Sequence, residues 1–243
     1  MVLSPGDHIC ALYGDASELV NIVGDFLAEG LRSSERCWYL PASDEPDAVR
    51  AALKARHVNT ARATARGALS ILSSNAAYSV RGDFDPEETM VVFSNAIEQA
   101  LVDGFNGFRA AANMSWALDL EGGLERLITY EALLRSLFSS ARATGLCLYD
   151  RTRMPLDVID GALATHPVVR VQGHYSRNTF YDASVQSLRA ADPLAVTAKL
   201  QLLDTGIHDV RHQPNVKANI STPAPRNSTS HRRSTMRPGC RIN

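Results

Sequence analysis

Hydrophobic positions along the chain switch repeatedly between two spacings. Short apolar runs of strand length are each followed by a longer stretch in which apolar residues recur every three or four positions. DHICALY at 7–13 is the first such run, and Leu19, Ile22, Val23, Phe26, Leu27 and Leu31 then form one continuous helical stripe. Asp15 and Glu18 stand at capping-box spacing in front of it. The pattern predicts a strand over 36–40, a helix over 45–56 and a strand over 68–73. A long helix opens at Asp85-Pro86-Glu87-Glu88, an N-cap aspartate followed by proline at the first helical position, and runs to about Val102. Beyond it the pattern predicts a strand over 107–116 ending in a special loop, a helix over 121–142, a strand over 145–150, a short helix over 155–164 and a last strand over 168–172.

Strands separated by helices throughout imply parallel pairing and an α/β, three-layer α/β/α sandwich on a mostly parallel sheet. The ordered domain is expected over 5–182. Residues 183–210 read as a linker helix interrupted by Pro193, and 211–243, rich in Pro, Ser, Thr, Asn and Arg, read as a disordered basic tail.

Charge sharpens that division. The 243 residues carry a formal net charge of −1. All seven basic residues beyond position 210 lie where no acidic residue follows; without them 18 basic face 26 acidic residues, a formal −8. An acidic body argues against nucleic-acid binding by the folded part. No run approaches the ~20 apolar residues of a membrane helix. The N-terminus lacks the basic and apolar regions of an export signal, and the four cysteines form no C-x-x-C pair. These features fit a cytoplasmic protein with reduced thiols.

The turn between the first strand and first helix carries the first functional clue. In a nucleotide-binding protein of this build it would read G-x-x-x-x-G-K-[ST]. Here it is Gly14-Asp15-Ala16-Ser17, with one glycine, no lysine and an added carboxylate. His8, Cys10 and Tyr13 lie on the strand before it. His8 and Cys10, two apart, leave one face of the strand. They read either as a ligand or metal site at the strand's carboxyl end, or as a buried cysteine beside a strand-end histidine. A zinc site needs two further ligands, which no neighbouring sequence supplies, so no metal and no cofactor is assigned.

Glu131 interrupts the apolar stripe of the 121–142 helix, where a carboxylate is costly unless it is partnered. Arg109, Arg151 and Tyr149 are its candidate partners, in a site or in a structural ion pair. Asn113-Met114-Ser115-Trp116 stands where a nucleotide hydrolase of this shape places its magnesium-holding aspartate, and suits an apolar pocket or a plug at the end of the sheet. Tyr149-Asp150-Arg151 closes a strand near the usual ligand crevice. His166-Pro167 reads as a restrained, structural entry to the last strand. No G-x-S-x-G, H-E-x-x-H or glycine-rich dinucleotide loop is present, so no catalytic residue is assigned.

Taken in order, HICALYGD at 8–15, FLAEGLRSSERCWYL at 26–40, NMSW at 113–116, YE at 130–131, CLYDRTRM at 147–154 and THPVV at 165–169 give the chain a resemblance. It resembles the MEDS domain, a sensory module named for methanogens, methylotrophs and the repressor DcmR. The 26–40 segment is also similar to the helix–strand unit of KaiC and RecA-like ATPases. The resemblance implies a RecA/KaiC-like fold without the phosphate loop and a non-enzymatic sensor of small hydrocarbon derivatives in transcriptional or signalling control. It also implies His8 and Cys10 as ligand contacts.

Two departures stand out. Family members carry an output module, whereas here only the linker-like helix and basic tail follow. The family's proline after an asparagine is replaced in Asn178-Thr179, which leaves the terminal hairpin or loop open. The expected site is a pocket for a small apolar or weakly polar molecule, shaped by His8, Cys10, Tyr13, Trp116 and Tyr149, with Glu131, Asp150 and Arg151 setting its polarity. A separate regulatory protein would read it, and the arrangement allows a homodimer. The alternative is a non-catalytic RecA-like scaffold for protein–protein interaction, with residual nucleotide binding near 14–17.

Overall fold

Among the described residues seven strands form one sheet in the order β3-β2-β4-β5-β1-β6-β7, and every neighbouring pair but the last is parallel. The structure is a computed structural model and describes residues 1–42, 45–72 and 84–205. The strands are β1 (His8–Tyr13), β2 (Arg36–Leu40), β3 (Leu69–Ile71), β4 (Phe108–Asn113), β5 (Ala143–Asp150), β6 (Val168–Val171) and β7 (His174–Arg177). The helices are α1 (Ala16–Arg32), α2 (Pro46–Ala55), α3 (Thr60–Ala65), α4 (Pro86–Val102), α5 (Gly123–Ser139), α6 (Leu156–Thr165) and α7 (Pro193–Thr205). The expected tail at 211–243 lies outside the described residues.

The period of two along each strand divides the core into two layers. Ile9, Ala11 and Tyr13 of β1 join Leu146 and Leu148 of β5 under the α1 stripe, with α2 and α3 alongside. Cys10 of β1 and Cys147 and Tyr149 of β5 belong to the opposite layer, covered by α4, α5, α6 and α7. The three-layer sandwich expected from the sequence is therefore what the chain builds.

Local chemistry sets several boundaries. Asp15 caps α1 by accepting from the Glu18 amide at 2.9 Å, and Asp85 caps α4 by accepting from Glu87 and Glu88. β4 stops at Asn113, short of the expected Trp116, because the Asn113 side chain accepts from the Ser115 amide at 3.0 Å and starts a 3₁₀ turn over Met114–Asp119. Pro193 opens α7 instead of interrupting a helix, with Asp192 accepting from the Leu194 amide. Val196 and Leu203 of α7 are buried in the α4–α7 layer, so part of the expected linker is docked helix.

The sequence pattern shows neither the short helix α3 nor the final strand β7. β7 folds back antiparallel on β6 through Gln172-Gly173, both at positive φ (49° and 82°), a tight hairpin turn whose hand matches strand twist. Asn178, which precedes the departure from the family pattern at Thr179, is buried there. Its Nδ2 donates to the carbonyls of Leu163 and His166, and its Oδ1 accepts from the Phe180 amide.

Candidate functional site

Four potential ligand atoms from four elements converge beneath α5. His8 begins β1, Cys147 lies within β5, Glu131 faces inward from α5, and His166 ends α6. Strand register brings the sheet residues together: Cys10 lies beside Cys147, and His8 lies beside Gly145. A Cβ at Gly145 would stand 2.3 Å from the Phe138 ring, so the missing side chain is what lets Phe138 pack next to His8.

Glu131 organises the group. Its Oε1 accepts from the Tyr149 hydroxyl. Its Oε2 lies 3.1 Å from His8 Nε2, 3.3 Å from His166 Nε2 and 3.4 Å from Cys147 Sγ, and His8 Nε2 is 3.4 Å from the same sulfur. The two imidazole rings lie 3.9 Å apart between centroids. His8, Glu131 and His166 are completely buried and Cys147 nearly so.

Such burial shifts proton affinities. Burial, reinforced by the neighbouring His166, pushes His8 down to about 4, although Glu131 opposes the change. For Glu131 burial disfavours the charge, but the imidazoles of His166 and His8 outweigh it and hold the carboxyl below its ordinary value. The thiols of Cys147 and Cys10 and the phenol of Tyr149 are pushed well up by burial, with the Glu131 charge adding to it. Cys10 and Cys147 are therefore protonated thiols at neutral pH in the ion-free protein, poorly suited to act as nucleophiles.

A second, open site lies at the other end of β1, five residues or about 16 Å along the strand. A cleft of about 210 Å³ is bordered by Tyr13, Asp15, Glu45, Asp119, Asp150 and Arg153. The Tyr13 hydroxyl donates to Asn113 Oδ1 at 3.3 Å and lies 3.2 Å from Ser115 Oγ, while Asn113 Nδ2 donates to Glu45 at 2.8 Å. The Gly14 amide, which a phosphate loop would turn toward its anion, donates to Glu18 Oε2 at 2.8 Å. The side chain thus supplies its own anion where a phosphate would lie.

The single pocket expected from the sequence is divided. His8, Cys10, Glu131 and Tyr149 share the closed layer, because even-numbered positions of β1 and odd-numbered positions of β5 face α5. Tyr13 points to the opposite side for the same reason, and with Asp150 it lines the open cleft. His8 lies at the amino end of β1, so it cannot border a pocket at the strand's carboxyl end. Trp116 is buried against the rings of Phe84 and Tyr130. Arg151 pairs with Asp204 of α7 at 3.1 Å beside a separate surface hollow.

Among the candidate partners of Glu131, Tyr149 is the one that reaches it. Arg109 pairs with Glu35 at 2.5 Å and donates to the Phe26 carbonyl on the other side of the sheet. The donor atoms absent from the sequence neighbourhood of His8 stand beside it in the fold at Glu131, Cys147 and His166, while Cys10 lies outside that group. Cys147 sits in the CLYD strand and His166 before a proline, and neither position carries a local signal for ligation.

The strand order, the helix layers and a first turn sealed by its own glutamate define a RecA-like α/β domain without a phosphate loop. Its family can be stated directly. The model of the MEDS domain (MEthanogen/methylotroph, DcmR Sensory domain) matches residues 7–167, and the chain belongs to that family. Among curated proteins, none matches the chain. Of the solved structures similar to it, a KaiC-like protein from the hyperthermophilic archaeon Pyrococcus horikoshii OT3 is 13% identical over 68% of this chain and 70% of its own, with a TM-score of 0.49. An uncharacterized P. horikoshii protein, solved in complex with an unknown peptide, is 17% identical over 69% and 77%, with a TM-score of 0.51. The second shares the fold.

Proposed function

We propose that this sensory domain binds a short hydrocarbon derivative in the carboxyl-end cleft and has no catalytic activity of its own. It acts in the cytoplasm, in transcriptional or signal-transduction control, by presenting its state to a separate regulatory protein, and its folded part does not contact nucleic acid. The observation that carries this reading is the cleft itself. It occupies the crevice where open α/β sheets bind ligands, yet Glu18 holds the amide a phosphate would need. The surrounding Asp15, Glu45, Asp119 and Asp150 repel an anion. Those acceptors and the Tyr13 hydroxyl suit a small molecule with a donating or cationic head, and Leu19 and Ala42 offer its carbon chain an apolar wall. No described helix is long and apolar enough to cross a membrane.

Titration calorimetry of the full chain with short alcohols, alkylamines and halogenated hydrocarbons, and with MgATP, tests the reading. One small-molecule class is expected to give saturable heat, weakened roughly tenfold by Tyr13→Phe through loss of one hydrogen-bonding group. MgATP is expected to give only heat of dilution. Saturable MgATP binding overturns the reading in favour of a nucleotide-retaining scaffold.

A further inference from the structure

The buried His8–Glu131–Cys147–His166 group has a donor set, a geometry and a charge that the small-molecule reading does not use. We propose that these four side chains form a closed, four-coordinate site for a divalent ion of the zinc type. The site is independent of the carboxyl-end cleft.

Electron pairs give the first reason. His166 Nδ1 lies 2.7 Å from the Ala162 carbonyl oxygen, which can only accept, so Nδ1 carries the proton. In its neutral form the ring turns a bare Nε2 toward the Glu131 carboxylate at 3.3 Å, and that nitrogen makes no hydrogen bond among the described residues. Such a lone pair facing a buried carboxylate calls for a cation between them, a proton or a metal ion. His8 Nδ1 also makes no hydrogen bond, so His8 can keep its proton there and present Nε2 to the same centre.

Geometry gives the second. Zinc bonds of about 2.0–2.3 Å in a tetrahedron place neighbouring donor atoms about 3.3–3.8 Å apart. The four close donor pairs lie at 3.1, 3.3, 3.4 and 3.4 Å. All four donor atoms lie within 4.8 Å of one another, so only small side-chain shifts close the remaining edges.

Charge gives the third. Two neutral imidazoles, one carboxylate and one thiolate sum to −2, which a divalent ion cancels in an interior that tolerates no net charge. On binding, the Cys147 S–H bond gives its proton to solvent and the sulfur lone pair goes to the metal. Glu131 contributes Oε2 and the imidazoles their Nε2 pairs, with no change in oxidation state. The outer partners of such a site are also in place: the Tyr149 hydroxyl holds Glu131 Oε1, and the Ala162 carbonyl fixes the His166 tautomer.

Four protein donors with no exposed edge describe a structural site that loads as the chain folds. The test therefore unfolds the full chain in guanidinium with a chelator, removes both, and refolds it with equimolar Zn²⁺ or Co²⁺. After gel filtration, mass spectrometry of the metal is expected to give about one ion per chain. The Co²⁺ form is expected to show intense tetrahedral visible bands and a thiolate-to-cobalt charge-transfer band. Cys147→Ser loses that band, while Cys10→Ser and Cys240→Ser keep it. Failure to retain either ion overturns the proposal, as does a charge-transfer band that survives Cys147→Ser. If Cys147→Ser does not refold, the unsubstituted Co²⁺ protein decides, because bound cobalt without thiolate charge transfer overturns the site. These readouts do not depend on what the cleft binds.

Discussion

Tyr149→Phe removes a single oxygen from the buried layer beneath α5 and leaves the ring in place. That hydroxyl donates to Glu131 Oε1, and both residues are fully buried. A hydrogen bond to a charged group contributes about 1.5–3 kcal/mol, and no water reaches this carboxylate to replace it. For a domain of about 200 residues, a loss of about 2 kcal/mol lowers Tm by roughly 4–8 °C. Urea unfolding in the presence of chelator should show the midpoint falling with an unchanged slope, the mark of lost stability without altered compactness. The same substitution in a Glu131→Gln background should cost about half as much, since the remaining bond joins two neutral groups. A loss below about 0.5 kcal/mol, or equal losses in both backgrounds, would refute the claim that Tyr149 serves a buried charge.

Three other outcomes follow from the same packing. Cys10, Cys37 and Cys147 are buried and their thiols are pushed up chiefly by that burial. Peptide mapping after iodoacetamide at neutral pH should therefore find them unmodified until denaturant is added, and rapid native labelling of Cys10 would contradict their protection. Gly145→Ala would drive a Cβ into the Phe138 ring, which has no exposed route of retreat; a loss of about 1–3 kcal/mol in urea is expected, and a neutral effect would mean α5 yields easily. Asn178→Ala strands the buried carbonyls of Leu163 and His166. Its expected cost, about 1–3 kcal/mol, is checked by the same assay, with hydrogen exchange increasing first near β7.

The layers were legible because they depend on periodicity. The α1 stripe, the proline-led start of α4 and the Gly14–Ser17 turn all appear as local patterns, and each directs the chain in the structure as it does in the sequence. The Glu131 anomaly was equally visible, since a carboxylate on an apolar stripe announces a buried partner. Tyr149 was among the partners the sequence offered, but His8, Cys147 and His166 were not, because they come from β1, β5 and the end of α6. They meet only through strand order, in which β1 lies between β5 and β6. Cys147 looks like any apolar strand residue and His166 like any residue before proline, so their role exists only in three dimensions. Tyr13 shows the opposite failure: its sequence nearness to His8 and Cys10 suggested a shared pocket, yet its odd position puts it on the other side of the sheet.

β1 and β5 both reach the two places where chemistry gathers. At the carboxyl end of β1 Tyr13 lies within hydrogen-bond reach of both Asn113 and Ser115 beside an acidic cleft, while at its amino end His8 is held among Glu131, Cys147 and His166. The two ends differ in what they permit. A cleft can change its occupant only if its walls keep their shape, and a ligand can shift a conformation only through contacts that differ between two states. A closed cluster that ties α5 and α6 to the middle of the sheet supplies the fixed frame. The turn at 14–17, its glycine amide held by a glutamate side chain instead of a phosphate, borders the cleft. Here the chain holds that turn from within, and on the proposed reading the crevice is left to a different class of molecule.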